Sequence, residues 1–187
     1  MKKIVIATIF ACLAGAAFAG DNVAGIEYKF EDPRGSGSNQ HGYEFTLGTK
    51  VLKDVAVDLK GENMYTDNNG ANTSKIEVGV TPSVNFNYGL TGYVRGAVGE
   101  RFVPGDRFGY YSVEPGVRYA VNDKAAVKLG WRYRDAFDNA ANQYLTRTWR
   151  LGAEYAVTKD GTAFAGFDRQ EGDVNSNVVS VGYKIGF

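Results

Sequence analysis

Charged side chains recur at every second position along much of this sequence, and they are the residues best placed to do chemistry. Between residues 89 and 157 basic residues outnumber acidic ones on this polar face, whereas the first half of the chain carries a mixture with a slight acidic excess. Fixed cations along a confined polar space attract anions, because low-dielectric walls strengthen their field. The basic residues of this set are Arg95, Arg118, Lys128, Arg132, Arg134 and Arg150, and the acidic residues on the same face are Glu27, Glu44, Asp58, Glu62, Glu77, Glu114 and Glu154.

Candidate catalytic residues are few. Hydrolysis needs a nucleophile or a water molecule activated by a general base, commonly a His beside Ser or carboxylates. The chain has one histidine, His41, and the nearby Glu44 is three positions away, which in an extended strand points the two side chains to opposite faces. Asp135 and Asp138 lie in a polar segment, where carboxylates are commonly solvated or bind cations. We therefore predict that the protein is not an enzyme and that it has no metal site or cofactor.

The pattern that must position these charges is an alternation of apolar and polar residues from residue 23 onward. A period of two is that of a β-strand whose faces meet different surroundings. The alternation predicts an all-β, antiparallel up-and-down barrel of 10 strands, with 8 or 12 strands as alternatives. The contrast is weakest in the fifth and ninth segments. The ten segments are 22–31, 42–51, 55–65, 74–82, 89–100, 108–121, 125–134, 145–157, 162–170 and 176–187.

The connections between these segments alternate in length. Such alternation is typical of a meander whose two ends differ. The segment 82–88 is an exception, because it is a long connection where a short one is expected. Short polar turns are predicted at 52–54, 122–124 and 158–161, and longer polar segments at 32–41, 66–73, 101–107, 135–143 and 171–175.

The N-terminus has the organisation of a secretory signal peptide. Lys2 and Lys3 precede an apolar run, and Ala17-Phe18-Ala19 places small residues at the two positions that signal peptidase reads. We predict that residues 1–19 are cleaved and that 20–187 form a single domain; a lipoprotein signal cleaved at Cys12 is the alternative. A chain cleaved after Ala19 has no cysteine, so neither a disulfide nor a cysteine-based zinc site can form.

Alternation does not by itself decide which face meets water, but three features favour a transmembrane barrel with its apolar face outside. Aromatic residues form two bands at strand ends, where amphipathic rings lie at membrane interfaces. Glycine recurs on the polar face, as in an interior where long side chains need room. The segments also match the roughly 9–11 residues that a tilted strand needs to cross a bilayer. The bands are Tyr43, Tyr65, Tyr111, Tyr133 and Trp149 near the long connections, and Phe86, Tyr88, Tyr119, Tyr155 and Tyr183 near the short ones.

The chain ends in Tyr183-Lys184-Ile185-Gly186-Phe187. This ending resembles the C-terminal signature of Gram-negative outer-membrane β-barrels, in which the barrel assembly machinery reads an alternating apolar strand closed by an aromatic residue. The resemblance implies export through the periplasm, insertion into the outer membrane as a small single-chain barrel, and contact with lipid and lipopolysaccharide. It also implies that Tyr183, Ile185 and Phe187 form the assembly signal. A weaker similarity, in charge alone, is to narrow monomeric porins that admit acidic oligosaccharides.

Two kinds of function remain open for such a barrel. Its basic wall predicts a narrow porin-like channel for small polar or anionic solutes. Alternatively, ion-paired side chains fill the lumen, and the barrel is structural or acts as an adhesin or receptor through its loops. Arg34, Arg101 and Arg107 are expected near loop tips, where they would pair with lipopolysaccharide phosphates. The 21 basic and 21 acidic residues argue against nucleic acid as a partner, and we expect a monomer.

Overall fold

The computed structural model describes residues 21–34, 38–67, 70–138 and 144–187, so the predicted signal peptide lies outside the described residues. Ten β-strands follow one another along the described chain. No helix in these ranges is long and apolar enough to span a membrane. The strands are β1 (Asn22–Pro33), β2 (Gln40–Leu52), β3 (Val55–Thr66), β4 (Asn72–Asn85), β5 (Leu90–Val103), β6 (Asp106–Ala120), β7 (Ala125–Ala136), β8 (Thr146–Ala156), β9 (Gly161–Gly172) and β10 (Ser176–Gly186).

Each strand pairs antiparallel with its neighbours in sequence, and β1 pairs with β10 to close the barrel. The closing register runs from Val23 opposite Gly186 to Pro33 opposite Ser176. Closure leaves no sheet edge unpaired. In the hydrocarbon region of a membrane, a β-sheet needs such closure because no water is present to pair with free backbone N–H and C=O groups. The prediction of a ten-stranded, antiparallel up-and-down barrel is confirmed.

The connections differ less in length than the sequence predicted. The end of the barrel that carries 34–39, 67–71, 104–105, 137–145 and 173–175, here called the loop end, has connections of two to nine residues. The opposite end, here called the turn end, contains the start of β1 and the end of β10. Its connections have two to four residues, at 53–54, 86–89, 121–124 and 157–160. The contrast between the two ends is therefore modest.

Two predicted connections are wrong. β4 continues through Pro82 to Asn85. Proline has no backbone N–H to donate, and the β4–β5 pairing is interrupted at this point, between the pairs Val80–Gly96 and Ser83–Tyr93. The predicted long connection at 101–107 is the two-residue turn 104–105, in which Gly105 has a φ of 83°. Glycine adopts this left-handed conformation without the clash of a Cβ atom, so a tight hairpin forms here.

The barrel is apolar outside and polar inside. Outward-facing side chains such as Phe45, Leu151 and Val181 are between 54% and 58% exposed, although they are strongly apolar. The inward-facing Thr146, Thr148 and other polar residues are fully buried. A soluble barrel would have the reverse arrangement, so the alternating pattern places its apolar face towards lipid.

Two glycines on the inner face make room for large side chains, as their recurrence predicted. A Cβ atom on Gly79 would lie 2.4 Å from the guanidinium of Arg95, and one on Gly116 would lie 2.4 Å from the phenol ring of Tyr93. Contacts this short are prohibitive, so either the glycine or the long neighbour would have to change. The glycines thus determine which side chains can cross the lumen.

Candidate functional site: the barrel lumen

The wall formed by β1 to β4 carries an alternating chain of ion pairs. Register places Glu44 of β2 directly opposite Glu62 of β3, an arrangement that would be repulsive without a cation between them. Lys29 of β1 supplies that cation: its Nζ atom contacts Glu44 and lies 2.8 Å from Oε2 of Glu62. Lys60 Nζ lies 2.9 Å from Oε1 of Glu44, and Lys75 Nζ contacts Glu62. Every member of this chain therefore has a partner of opposite charge.

Arg95 on β5 extends the paired network across the lumen. Its Nε atom donates to Oδ2 of Asp58 at 3.0 Å, and its Nη1 atom donates to Oε1 of Glu77 at 2.6 Å. The guanidinium also contacts the second oxygen of Asp58, so the planar fork binds this carboxylate through two atoms. Arg95 consequently links β5 to β3 and β4 through the interior.

Three further cations of the predicted basic wall are also paired. Arg150 Nη1 lies 2.7 Å from Oε2 of Glu114, and its Nε atom lies 2.9 Å from Oδ2 of Asp168. Nearer the turn end, the Glu154 carboxylate pairs with three cations. Arg118 Nε lies 3.1 Å from its Oε2 atom, Lys128 Nζ lies 2.7 Å from its Oε1 atom, and Lys184 also contacts it. Sequence reasoning placed Arg150, Arg118 and Lys128 in this wall but left out Asp168, which lies in the weakly alternating ninth segment.

Arg132 and Arg134 differ from the other cations of the basic wall. All 21 Asp and Glu residues of the sequence lie in the described ranges, and none has a carboxylate oxygen within 4.0 Å of either guanidinium. Arg134 is 5% exposed. Of the predicted acidic set, Glu27 faces the lumen near the turn end and, within the described residues, forms no ion pair.

An aromatic and arginine cluster closes the loop end of the lumen. Tyr144 belongs to the connection 137–145, yet it is only 2% exposed, and its hydroxyl accepts a hydrogen bond of 2.8 Å from Nη1 of Arg134. The Cζ atom of Arg101 lies 4.6 Å from the centre of the Tyr144 ring, within the range of a cation–π contact. Phe108 and Tyr110 pack edge-on against the same ring, with centroids 5.2 Å and 5.6 Å away.

Sequence reasoning missed this cluster. It placed Arg101 near a loop tip, which is wrong, because the hairpin at 104–105 keeps Arg101 within β5, where it packs over Tyr144. Tyr110 could have been found, since two adjacent tyrosines in a strand, Tyr110 and Tyr111, cannot both face lipid. Tyr144 has no such signal, because it follows a polar loop segment and is buried only through its tertiary contacts.

The surroundings of Tyr144 change its acidity. Burial raises the pKa of the phenol, but the positive charges of Arg134, Lys75 and Arg101 outweigh burial and lower the pKa to about 8. The carboxylate of Glu62 opposes them more weakly. Tyr144 is therefore mostly neutral at pH 7 and ionises within the range of ordinary buffers.

Two cavities lie beside the ion pairs and the aromatic cluster in the described part of the lumen. A cavity of about 440 Å³ lies towards the turn end and includes Tyr93, Arg118, Lys128 and Glu154 in its wall. A cavity of about 50 Å³ lies between the ion pairs and the Tyr144 cluster. Its charged lining residues are Lys29, Glu31, Glu44, Lys60, Glu62, Lys75, Glu77, Arg95, Arg132, Arg134, Arg150 and Asp168. The lumen is thus wide at the turn end and narrow beneath the loop end.

The residues considered for catalysis lie apart from one another. His41 is on the rim of the loop end, where its Nδ1 atom lies 2.9 Å from Oδ1 of Asp67, while Glu44 is buried in the lumen wall. Asp135 is buried and accepts hydrogen bonds from the Tyr133 hydroxyl at 3.1 Å and from the Ala136 amide at 2.8 Å. Within the described ranges, no three Asp, Glu, His or Cys side chains form a group that could hold a metal ion.

The remaining predicted residues lie on the outside and at the rim. Tyr183, Ile185 and Phe187, the predicted assembly signal, face outward at the turn end with 39%, 47% and 72% exposure. Arg34 donates a hydrogen bond of 3.0 Å to the Gln170 carbonyl at the loop end, and Arg107 is exposed there. Arg34 also lies 3.6 Å from Glu171, and Arg107 lies 3.8 Å from Glu100, so both rim arginines have a carboxylate of this chain nearby. The roles in assembly and in lipopolysaccharide binding stay predictions.

Comparison with known proteins identifies the class of fold. No protein-family model and no curated protein matches the sequence. The crystal structure of an outer membrane channel from Pseudomonas putida F1 has a TM-score of 0.60 and 9% identity, over 90% of this chain and 96% of that chain. The KdgM porin gives a TM-score of 0.48 and 10% identity over 87% and 99% of the two chains, and Neisserial surface protein A gives 0.47 and 12% over 89% and 96%.

At these identities the likeness concerns the fold alone. The chain has the fold of the small outer-membrane β-barrels, as the alternation and the C-terminal residues predicted.

Proposed function

We propose that the protein lies in the outer membrane and acts as a narrow channel for small anionic or polar solutes. One observation carries this proposal: of the seven Lys and Arg residues that line the narrow cavity of the lumen, Arg132 and Arg134 form no ion pair with a described carboxylate, whereas the other five do. Positive charge without a paired carboxylate, in a tube with low-dielectric walls, concentrates anions and repels cations.

The conductance of the purified protein in planar lipid bilayers tests this proposal. We expect small single-channel currents and, in a potassium chloride gradient, a reversal potential that favours chloride. Arg132→Glu should lower the chloride-to-potassium permeability ratio several-fold, because it reverses a charge in the narrow region without breaking an ion pair. Arg147→Glu is the matched control, since Arg147 is exposed on the outer face of β8. Bilayers that contain folded protein and pass no ions would reject the channel.

A structural barrel with a filled lumen is the second candidate, and the ion-pair network favours it. The narrow cavity of about 50 Å³ has room for only a few water molecules. Tyr144→Ala distinguishes the two candidates, because it removes the ring that closes the loop end. A channel should conduct two- to three-fold better with this substitution, whereas a filled barrel should remain closed.

Binding of a macromolecule through the loops is less well supported. The connections at the loop end have at most nine residues each. A stable protein interface needs roughly 800 Å² from each partner, which such short connections supply poorly. The contacts proposed with lipid, lipopolysaccharide and the barrel assembly machinery depend on the outer face, the rim and β10, and they are compatible with either candidate.

A further inference from the structure

Three arginines near the loop end have a buried Nε atom without a hydrogen-bond partner in the structure: Arg101, Arg132 and Arg134. A buried guanidinium is costly unless opposite charge and hydrogen-bond acceptors surround it. Nearly all buried donors in native proteins are satisfied, so three such atoms in one region need an explanation.

Hydroxyl groups lie beside two of these arginines in the sheet. In the strand register, Arg134 is opposite Ser112 on β6 and Thr146 on β8, and Arg132 is opposite Thr148. The oxygen atoms of all three hydroxyls are buried and also lack hydrogen-bond partners. Hydroxyls can donate as well as accept, so possible donors on β6, β7 and β8 lie side by side on the inner face of the barrel.

We propose that Arg132 and Arg134, with these hydroxyls, form a binding site for a small oxyanion, and that Tyr144 is the lid over it. A guanidinium presents parallel N–H groups that match two oxygens of a carboxylate, phosphate or sulfate group. The cavity that both arginines line, about 50 Å³, has room for roughly one such group in place of water. In a conducting barrel this would be the site at which a permeating anion pauses, so to that extent the inference rests on the proposed function.

Most carboxylates that line the same cavity are already paired with cations other than Arg132 and Arg134. Glu62, Glu77 and Asp168 face it, but each already pairs with a Lys or Arg other than Arg132 and Arg134. Glu31 also lines the cavity and forms no ion pair within the described residues. Arg132 and Arg134 therefore form no ion pair with these acids, which act on the two arginines only from longer range.

Tyr144 occupies the position of a competing ligand. Its hydroxyl oxygen accepts a hydrogen bond from Arg134, as an oxygen of an anion would. Tyr144 is not part of a strand, so its ring can withdraw without breaking the barrel ladder. The next residue, Leu145, is held to Asp173 by hydrogen bonds of 2.7 Å and 2.9 Å, which fixes the base of the lid.

Calorimetric titration of the refolded barrel in detergent micelles with inorganic phosphate at pH 7 and low salt tests the site. We expect one saturable site per chain, and at least tenfold weaker binding in Arg132→Gln and in Arg134→Gln. Arg134→Lys keeps the charge but removes the paired donors, so it should also weaken binding, and it provides a milder variant should the Gln variants fail to fold. Arg147→Gln, on the outer face, should bind as the wild type does.

The lid has its own test in the same titration. Tyr144→Phe removes the hydroxyl that competes for Arg134, so phosphate should bind several-fold more tightly. An unchanged affinity in Tyr144→Phe would overturn the lid, and absent phosphate binding, or binding that persists in the arginine variants, would overturn the site. Binding without conductance would reject the channel and keep the site, whereas conductance without binding would do the reverse.

Discussion

The wall formed by β1 to β5 and the wall formed by β6 to β8 both carry charges towards the lumen, but they differ in how those charges are paired. In the first, Lys29 joins two carboxylates on neighbouring strands and Arg95 spans two more. In the second, Arg150 is paired, whereas Arg132 and Arg134 form no ion pair with a described carboxylate and have hydroxyls and aromatic rings among their neighbours. The first wall uses its charges to hold strands together, and the second leaves two guanidinium groups without an ion pair among the described residues, as the proposed anion site requires.

The energetic consequence of this difference is an asymmetry between substitutions. Removing one partner of a buried ion pair leaves the other uncompensated, which commonly costs about 3–5 kcal/mol. Removing a charge that has no partner relieves a desolvation cost instead. The same neutralisation should therefore destabilise one wall and leave the other nearly unaffected.

The largest expected effect is on stability. Glu44→Gln should lower the free energy of unfolding by about 3 kcal/mol, because Lys29 and Lys60 both lose their shared carboxylate. Arg132→Gln should change it by less than about 0.5 kcal/mol, since no acid in the described chain pairs with it. Urea unfolding followed by tryptophan fluorescence measures both.

A surface substitution controls for the loss of charge itself. Glu171 is exposed and pairs with Arg34 and Arg169 on the rim, so Glu171→Gln should cost no more than about 1 kcal/mol. Equal losses of stability in Glu44→Gln and Arg132→Gln would contradict the distinction between the two walls.

A smaller effect is expected when the missing partner is supplied. Thr148 is opposite Arg132 in the register and fully buried, so Thr148→Asp places a carboxylate beside an unpaired guanidinium. The wall formed by β6 to β8, here called the arginine wall, should then have its charges paired like those of the wall formed by β1 to β5. Phosphate affinity and chloride preference should each fall about tenfold, which corresponds to about 1.4 kcal/mol. Thr148→Asn has the same shape without the charge and should affect both properties much less.

The sequence predicted the strands well because alternation is a local property. Even the weak fifth and ninth segments are strands β5 and β9, and the residues of the predicted basic and acidic sets fall on the inner face as their parity requires. The failures at 82–88 and 101–107 come from reading Pro82, and the pair Pro104 and Gly105, as signs of long connections. A closed barrel instead accepts one proline within a strand and confines the other two residues to a hairpin.

The pairing of charges could not be predicted from the sequence. Whether Lys29 meets Glu44 or Glu27 depends on side-chain reach across strands whose stagger is set by closure of the barrel. The burial of Tyr144 depends on a loop that folds over the lumen, and polar loop sequences carry no periodicity that would reveal it. Both features depend on tertiary structure, and both distinguish the wall formed by β1 to β5, whose charges are paired, from the wall formed by β6 to β8, where Arg132 and Arg134 form no ion pair.

The smallest expected effect is the pH dependence of Tyr144, which reports on the arginine wall directly. Its pKa of about 8 lies below the value near 10 of an exposed tyrosine, so the ionised form contributes stability that is fully present above about pH 10 and is lost as the pH falls through 8. Between pH 6 and pH 8 the free energy of unfolding should rise by about 0.4 kcal/mol more in the wild type than in Tyr144→Phe. Absorbance at the tyrosinate band should show one group titrating near pH 8 that is missing from Tyr144→Phe. In Thr148→Asp the added negative charge should move this titration upward, whereas an unshifted titration would place the carboxylate too far from the cluster to compensate it.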